Sequence, residues 1–592
     1  MMPEIDLTDE QNEVSTHPEA VFVNACPGSG KTRAVLARVA NILEDIPSRK
    51  GVAVLSFTNT AVDEFIERSQ KVGLDQIVRF PNFVGTFDAF IRHFLVLPYG
   101  VPNVNVRPTV LDSWSTLSVD IRLRGNNAHQ GDGVSLDSFN PIDNSIEPAS
   151  IGNAALRQHV ENNQNQYVDS ARRRRDGFKR RGIISAADAR VIALEHLEKD
   201  GWDSALGSSL ASRFSEVIVD EAQDCNPIDL AFLEWFREKA ISTTLLCDPD
   251  QAIYGFRHGD PNDLDDFSNG YAVENRLSLT GNFRSSEVIC RLAATLRSRV
   301  VPDDALGDCA DVGLPIYLLE YRGATVPATV GEEFAALAER NHIPTGKTHI
   351  LAHKRRAAFQ AAGLKAAVDN TSKAKVTLIA TAVGVYWSKA SSTKEKETAV
   401  KVIEKILLEF MGCIDENEPL SRAIDRNSFE KRWLRRMAMD FVGSLPKSCD
   451  DTDEARQLWL VTLRETVDNL GVEPGEGIST GRFFRRPNSP VWSGLFEQSQ
   501  IAQLQCATVH EAKGRQYEAV CLVIPPNRAP LNHTEQLLDA WETRREDEAK
   551  RVAYVAVTRA QKLLAIAIST NYRARLAAIL DNAAAPYEVT VL

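Results

Sequence analysis

The chain has 592 residues, of which 43% are hydrophobic and 25% are charged, and its formal net charge is −12. This length exceeds what one hydrophobic core usually organises, so we expect about two to four domains. The acidic balance excludes a wholly basic, histone-like nucleic-acid binder, but it is compatible with a local basic channel.

Cysteine usage and the first residues indicate the compartment. The nine cysteines are scattered, odd in number and never spaced as Cys-x-x-Cys, which argues against iron–sulfur or zinc ligation. The chain starts with the acidic MMPEIDLTDE, and it has no run of about 18 apolar residues. We therefore expect a soluble, cytoplasmic protein with reduced cysteines and no membrane contact.

Short apolar runs that end in turn or acidic residues are typical of buried parallel strands. One series of such runs covers 20–23, 52–57, 217–219 and 244–247, and a second covers 316–321, 349–352, 519–524 and 563–568. Helical patterns follow these runs. The fold class predicted is α/β, with two lobes built from parallel sheets and flanking helices.

Two segments between these series differ in character, and we interpret both as mostly helical inserted subdomains. Residues 100–185 contain Asn-rich text and the basic run ARRRRDGFKRR, which could contact a DNA backbone or form a solvated helix face. Residues 366–500 include a helical pattern at 400–411. The predicted lobes are therefore 1–99 with 186–270, and 271–365 with 501–592.

A glycine-rich loop, ACPGSGKT, follows the first predicted strand and leads into a helix. This order is the Walker A arrangement, in which the backbone N–H groups of Gly28, Ser29 and Gly30 surround phosphate. Lys31 can reach the β/γ oxygens and Thr32 can bind Mg²⁺, so ATP and Mg²⁺ are the predicted ligands. A fortuitous glycine turn is the alternative, and the strand–loop–helix order disfavours it.

Two adjacent carboxylates, Asp220 and Glu221, end the predicted strand at 217–219. Open α/β sheets bind their ligands at the carboxyl ends of strands. Asp220 suits Mg²⁺, and Glu221 suits activation of an attacking water. Such a pair can also be a solvated turn, but the accompanying Walker A loop favours the catalytic interpretation.

The chain resembles the superfamily 1A DNA helicases, the group that includes UvrD, Rep and PcrA. The resemblance is carried by motifs that follow one another from residue 7 to residue 560: LTDEQ, ACPGSGKT, FTN, GTF, DEAQD, DPDQAIYGFR, NFRS, TVHEAKG and YVAVTRA. It implies two RecA-like P-loop NTPase lobes, each with an inserted subdomain (1B and 2B). It also implies ATP-driven movement along single-stranded DNA, with 3′ to 5′ polarity.

The resemblance assigns residues to the nucleotide. Gln11 would read adenine, Phe283 would stack on it, and Arg33 would lie near the nucleotide. Gln251 would sense the γ-phosphate. These four roles are implied by the family motifs alone.

Two arginines are assigned to the transition state by the same resemblance. Arg284 and Arg559 would come from the second lobe as arginine fingers, so that ATP draws the lobes together and hydrolysis releases them. Each could instead be a surface salt-bridge partner, an alternative that the flanking motifs disfavour.

The chain departs from the family pattern at several positions. Thr60 stands where lysine is usual, Cys247 where glycine is usual, and Gln516, which follows Gly514 and Arg515, where a glutamate contacts the nucleotide sugar. An amide can still bond a hydroxyl without a charge. We therefore keep Gly514 and Gln516 as nucleotide-binding candidates and expect looser nucleotide selectivity.

A further set of residues is assigned to single-stranded DNA by the resemblance. Aromatic rings stack on bases without regard to sequence, while polar and cationic groups hold phosphates. The set is Phe57, Thr58, Thr86, Tyr254, Phe256, Arg257 and His510. Phe57 and Phe256 could instead be core residues.

The leading hypothesis is an ATP-dependent single-stranded DNA translocase and DNA helicase, in DNA repair or antiphage defence. By its size, the chain also resembles the helicase-like subunit of Gabija antiphage systems, which works beside an OLD-family nuclease. The alternative is therefore a DNA-sensing ATPase that regulates a partner nuclease and unwinds little. A third interpretation, a P-loop kinase or small-molecule ATPase, predicts no stimulation by DNA.

Overall fold

The computed structural model describes residues 6–47, 49–117, 119–123, 133–151, 153–198, 202–253, 261–297, 303–363, 374–387, 393–415, 418–447, 449, 452–486, 504–526 and 533–592. The chain divides into two compact units. The first comprises Met1–Arg284 and Asp303–Ala310, and the second comprises Ser285–Pro302 and Asp311–Leu592.

The first unit is built around a parallel sheet. Its described strands are β1 (Phe22–Ala25), β2 (Gly51–Ser56), β3 (Phe83–Thr86), β4 (Thr109–Leu111), β5 (Asp120–Ile121), β6 (Val134–Ser135), β7 (Ile183–Ser185), β8 (Phe214–Val219), β9 (Ser242–Cys247), β10 (Arg276–Leu279), β11 (Gly281–Asn282) and β12 (Asp304–Ala305). Among the described residues, six strands form the main sheet in the order β10-β1-β9-β8-β2-β3, with every neighbouring pair parallel.

Helices cover both faces of this sheet. The described helices of the first unit, including two in its insertion, are α1 (Asp9–Thr16), α2 (Lys31–Asp45), α3 (Asn59–Lys71), α4 (Phe87–Phe90), α5 (Ala154–Asn162), α6 (Gln164–Arg180), α7 (Ala186–Leu197), α8 (Trp202–Arg213), α9 (Pro227–Glu238) and α10 (Pro261–Ser268). Successive strand residues point to opposite faces. Accordingly Val52 and Val54 pack with α2, whereas Ala53 and Leu55 pack in a separate core with α7 and α9.

The first insertion has a hydrophobic core of its own. The buried residues of this core run from Leu111 to Ile183 and include the large side chains of Trp114 and Phe178. The helices α5 and α6 contribute to it, together with the short pairs β4–β7 and β5–β6. A separate core is what distinguishes an inserted subdomain from a long surface loop.

The second unit repeats the parallel-sheet plan. Its described strands are β13 (Ile316–Tyr321), β14 (Thr348–Ala352), β15 (Gln505–Thr508), β16 (Tyr517–Val523), β17 (Ala560–Ser569) and β18 (Tyr587–Val591). Within the described part of this unit, the strands lie in the order β15-β14-β16-β17-β13-β18, and all neighbours are parallel. β13 and β14 are buried at every residue, as expected for central strands covered on both faces.

The second insertion is helical where it is described. The helices of this unit are α11 (Glu287–Thr295), α12 (Thr329–Arg340), α13 (Arg355–Ala361), α14 (Lys375–Trp387), α15 (Thr393–Phe410), α16 (Leu420–Arg426), α17 (Lys431–Ser444), α18 (Asp453–Asn469), α19 (Thr480–Phe483), α20 (Val509–Ala512), α21 (His533–Thr543), α22 (Glu548–Val557) and α23 (Thr570–Asn582). Buried residues between Val376 and Phe484 form one apolar core among α14 to α19.

The predicted α/β class with two parallel-sheet lobes is confirmed. One predicted boundary differs, because we expected the second lobe to begin at residue 271. Instead, β10 pairs with β1, from Phe22↔Arg276 to Ala25↔Leu279, and the first unit continues to Arg284. Within the ranges that the structure describes, no helix combines the length and apolar composition needed to cross a membrane.

Candidate active site

The glycine-rich loop between β1 and α2 has the backbone that the sequence predicted. Gly28 and Gly30 adopt φ values of +77° and +78°, in the left-handed region, and Gly30 is the N-cap of α2. A Cβ added at Gly28 would lie 2.6 Å from the Cβ of Arg284 and 2.8 Å from Oδ1 of Asn282. Both the conformation and the crowding therefore require glycine at position 28.

Adjacent strands bring the charged residues of the site together. β1, β9 and β8 are neighbours in a parallel sheet, so their carboxyl ends share one edge. Lys31 follows β1, Asp248 follows β9, and Asp220 and Glu221 follow β8. The Nζ of Lys31 lies 3.9 Å from Oε1 of Glu221, and these side chains are only 11% and 19% exposed.

The charges of this cluster perturb one another. Burial works to lower the pKa of Lys31, but the negative charges of Glu221, Asp220 and Asp248 oppose it, and the net shift is upward. Burial, together with repulsion from Glu221, raises the pKa of Asp220 to about 6, against the opposing attraction of Lys31. Lys31 is therefore a fixed cation, whereas Asp220 is a crowded carboxylate that a metal cation would relieve.

Side-chain amides hold Glu221 and the next motif in place. Glu221 has φ = +59°, an uncommon conformation for a residue with a side chain, and its Oε2 accepts a 2.5 Å hydrogen bond from Nε2 of Gln223. Oε1 of Gln223 accepts from the N–H of Asp248 at 3.0 Å, and Nε2 of Gln251 donates to Oδ2 of Asp248 at 2.9 Å. This network connects the proposed base to the proposed phosphate sensor, and sequence reasoning assigned no role to Gln223 or Asp248.

Gln11 is buried against the phosphate-binding loop. Its Nε2 donates to the carbonyl oxygen of Ser29 at 2.8 Å, and its Oε1 accepts from the N–H of Thr8 at 3.3 Å in a capping box that begins α1. The hydroxyl of Ser29 is buried and has no hydrogen-bonding partner among the described residues. Gln11 therefore supports the loop directly, while its contact with adenine stays a prediction.

Phe283 and Arg284 also lie beside the loop. The N–H of Phe283 donates to the carbonyl oxygen of Gly28 at 2.9 Å, and both side chains are half-buried. We expected Arg284 to come from the second lobe, but it belongs to the first unit because it follows closely after β10. At the start of α2, Thr32 is half-buried and Arg33 is exposed.

Three predicted DNA contacts meet at the carboxyl ends of β2 and β3. Phe57 and Thr58 follow β2, Thr86 ends β3, and the register pairs Ser56 with Thr86. Thr58 and Thr86 accept hydrogen bonds as the N-caps of α3 and α4. The half-buried ring of Phe57 stacks on Phe87, with centroids 5.6 Å apart.

Other predicted DNA contacts fall elsewhere. Tyr254, Phe256 and Arg257 lie outside the described residues. In the second unit, His510 is half-buried, and its ring centroid lies 5.7 Å from that of His353.

The remaining nucleotide candidates lie in the second unit around the start of β16. Arg559 is 2% exposed, and its guanidinium donates to the carbonyl oxygens of Val555 at 3.2 Å and Arg515 at 3.1 Å. Gly514 has φ = +82°, and Gln516 is exposed. Arg559 is therefore hydrogen-bonded to the Gly514–Gln516 loop at the carbonyl oxygen of Arg515.

The donor set of the first unit fits a nucleotide and its divalent cation. Phosphate needs backbone N–H groups, a helix N-terminus and a cation, which the loop, α2 and Lys31 provide. The unpartnered hydroxyl of Ser29 adds a further polar group. Mg²⁺ prefers hydroxyl, carboxylate and phosphate oxygens, and Thr32 and Asp220 are the residues that would hold it.

Comparison with known proteins places these features in a family. The model of the UvrD/REP helicase N-terminal domain matches residues 7–272, and that of the UvrD-like helicase C-terminal domain matches residues 493–571. DNA helicase II of Haemophilus influenzae is 27% identical over 305 residues, which is 49% of this chain and 40% of that protein. The ATP-dependent DNA helicase PcrA of Staphylococcus aureus is 24% identical over 297 residues, 48% of this chain and 39% of that protein.

These matches span about two fifths of each relative's length. Both family models nevertheless match in the expected order, one on each unit, and the first covers the phosphate-binding loop and the acidic pair. The chain belongs to the UvrD/REP helicase family.

Proposed function

We propose that this protein is an ATP-dependent single-stranded DNA translocase and DNA helicase that moves 3′ to 5′, in DNA repair or antiphage defence. The observation that carries the proposal is the cluster of Lys31, Asp220 and Glu221 at one edge of a parallel sheet, with Lys31 Nζ 3.9 Å from Glu221 Oε1. A cation, a metal-binding carboxylate and a second carboxylate beside a phosphate loop are the groups that nucleotide hydrolysis requires.

Different residues of the first unit have different roles in hydrolysis. The loop N–H groups and Lys31 bind the β- and γ-phosphates, and Mg²⁺ held by Thr32 and Asp220 would neutralise developing phosphate charge. Glu221 orients the attacking water and accepts its proton, while Gln223 fixes one carboxylate oxygen. Burial and the Glu221 charge disfavour ionised Asp220, and a cation bound there would stabilise the ionised carboxylate.

The γ-phosphate is expected to report its state through Gln251. The Gln251 amide donates to the carboxylate of Asp248, and the backbone N–H of Asp248 donates to Oε1 of Gln223. Loss of the γ-phosphate can therefore change the hydrogen bonds that reach Glu221 and the loop after β9. Arg284 and Arg559 remain the proposed arginine fingers, and the Arg559 guanidinium would have to exchange a carbonyl partner to take that role.

Single-stranded DNA is proposed to lie across the carboxyl ends of β2 and β3. Phe57 offers a partly exposed ring for stacking, while Thr58 and Thr86 can donate their hydroxyl protons to phosphate. Neither kind of contact reads sequence. Tyr254, Phe256, Arg257 and His510 complete the proposed DNA-binding set.

A strand-displacement assay tests the proposal. Purified protein is mixed with ATP, Mg²⁺ and a fluorescent duplex carrying either a 3′ or a 5′ single-stranded tail, with Glu221→Gln as the inactive control. We expect displacement from the 3′-tailed duplex only. DNA-stimulated hydrolysis without displacement would instead support the alternative, a DNA-sensing ATPase that regulates a nuclease partner, and hydrolysis indifferent to DNA would contradict both.

A further inference from the structure

A short segment of the first unit lies directly against the phosphate-binding loop. We call this segment, residues 279–284, the connector, because it runs from the end of β10 to the boundary between the two units. The N–H of Cys26 donates to the carbonyl oxygen of Leu279 at 3.0 Å, and the N–H of Phe283 donates to that of Gly28 at 2.9 Å. The connector is therefore bonded to the loop at both of its ends.

A carboxylate from α1 holds Thr280, the second residue of the connector. Oε2 of Glu10 accepts a hydrogen bond from the backbone N–H of Thr280 at 2.8 Å, and Oε1 accepts one from the Thr280 hydroxyl at 2.7 Å. The next residue, Gln11, donates to the carbonyl oxygen of Ser29. Consecutive residues in one helical turn thus contact the connector and the phosphate-binding loop.

The connector packs closely against the phosphate-binding loop at Gly28. A single added Cβ at Gly28 would come within 2.8 Å of Asn282 and within 2.6 Å of Arg284. The side chain of Asn282 is itself fixed, because its Oδ1 accepts from the N–H of Arg284 at 2.9 Å. Because Phe283 and Arg284 belong to the connector, any displacement of the connector would move both residues relative to the loop.

We propose that Glu10 is a positioning residue for nucleotide binding, which fixes the connector so that Phe283 and Arg284 meet the nucleotide. The inference rests on the proposed function, since it takes these two residues as nucleotide contacts. Glu10 suits this task because a carboxylate offers two acceptor oxygens in one plane, matching the adjacent N–H and O–H donors of Thr280. Bonds of this kind, with one charged partner, are stronger than neutral ones.

Direct binding of a fluorescent ATP or ADP analogue tests this role without relying on turnover. Glu10→Ala removes both bonds to Thr280, and we expect about tenfold weaker binding of both nucleotides, because a misplaced Phe283 affects the base that they share. Glu10→Gln should recover most of the affinity, since its amide oxygen can accept from the N–H and its NH₂ can donate to the hydroxyl oxygen. Glu13→Ala, an exposed carboxylate on the same helix, is the matched control and should bind like the unaltered protein.

A double-mutant cycle separates positioning from general stability. If Glu10 acts through Phe283, then Glu10→Ala should weaken binding about tenfold alone but less than about twofold in a Phe283→Ala background. Steady-state kinetics should show the loss mainly in KM for ATP, because base stacking is shared by the ground and transition states. Thr280→Val keeps the side-chain volume and loses only the hydrogen bond from the Thr280 hydroxyl to Glu10, so it should weaken nucleotide binding about threefold. This variant replaces Glu10→Ala in the test if Glu10→Ala does not fold.

The outcomes distinguish this inference from the proposed function. Nucleotide affinity that is unchanged in both Glu10→Ala and Thr280→Val, or equal losses with and without the Phe283 side chain, would overturn the positioning role and leave the motor proposal intact. If the unaltered protein bound neither nucleotide, the proposed function itself would fail.

Discussion

Glu221→Gln should lower turnover by orders of magnitude while leaving ATP binding intact or slightly tighter. The Lys31 ammonium lies 3.9 Å from the Glu221 carboxylate, and both side chains are largely shielded from water. At an effective dielectric constant of about 20, this separation corresponds to about 4 kcal/mol of gross Coulomb attraction. Desolvation and side-chain ordering offset most of it, so Glu221 competes with phosphate for Lys31 by about 1 kcal/mol net.

Removal of this competing charge should strengthen ATP binding by up to about fivefold. Loss of the proton acceptor should lower kcat by about 10²- to 10⁴-fold. Lys31→Ala differs, because it removes the phosphate cation and should weaken ATP binding as well as turnover. The affinity for ATP should therefore rise in Glu221→Gln and fall in Lys31→Ala.

Both quantities can be measured on the same preparations. Equilibrium titration with a fluorescent ATP analogue gives the affinity, and continuous phosphate release gives kcat. Glu234→Gln, a change to an exposed carboxylate on α9 of the same unit, is the control for loss of one negative charge. Equal losses of affinity in Glu221→Gln and Lys31→Ala would refute the roles assigned to both residues.

Three further outcomes follow from described contacts. Glu216→Ala should lower the free energy of unfolding by about 3–5 kcal/mol in urea titrations, because it leaves the buried guanidinium of Arg38, 2.8 Å away, without its carboxylate. An unchanged free energy of unfolding would contradict this role of the ion pair. Phe57→Ala should weaken single-stranded DNA binding about tenfold in anisotropy titrations while sparing basal hydrolysis, and a collapse of basal activity would mean that the ring is a core residue. Burial, with the nearby His533 and His510, lowers the pKa of His353 to about 3 from 6.5. As the pH falls below about 6.5, the unfolded chain binds a proton at His353 before the folded protein does, so the free energy of unfolding should decrease. His353→Asn should reduce this pH dependence in thermal melts.

The central strands were predictable from sequence, but the sheet edges were not. β2, β8, β13 and β14 are almost entirely buried and each contains an apolar run of at least three residues, because helices cover them on both faces. The edge strand β10 alternates between exposed and buried residues over RLSL, so it shows no such run, and missing it displaced the predicted lobe boundary. The edge strand β18 was missed for the same reason, since none of its residues is fully buried.

In the candidate site, too, some residues could be predicted from the sequence and others could not. Motif residues such as Lys31 and Glu221 were identified because their chemistry is tied to short, local patterns. Glu10 lies within the LTDEQ motif, but its role cannot be predicted from the sequence, because its partner Thr280 lies 270 positions away and only the fold reveals the contact. Gln223 likewise gains its role from strand order, which places it beside Asp248.

The most direct test of the motor proposal is the rate of ATP hydrolysis with and without single-stranded DNA. We predict a slow basal rate that rises at least about tenfold at saturating DNA and that falls at least about 10²-fold in Glu221→Gln under both conditions. A rate that DNA leaves unchanged, in a preparation that hydrolyses ATP and loses this activity in Glu221→Gln, would contradict the claim that this nucleotide site drives movement on DNA.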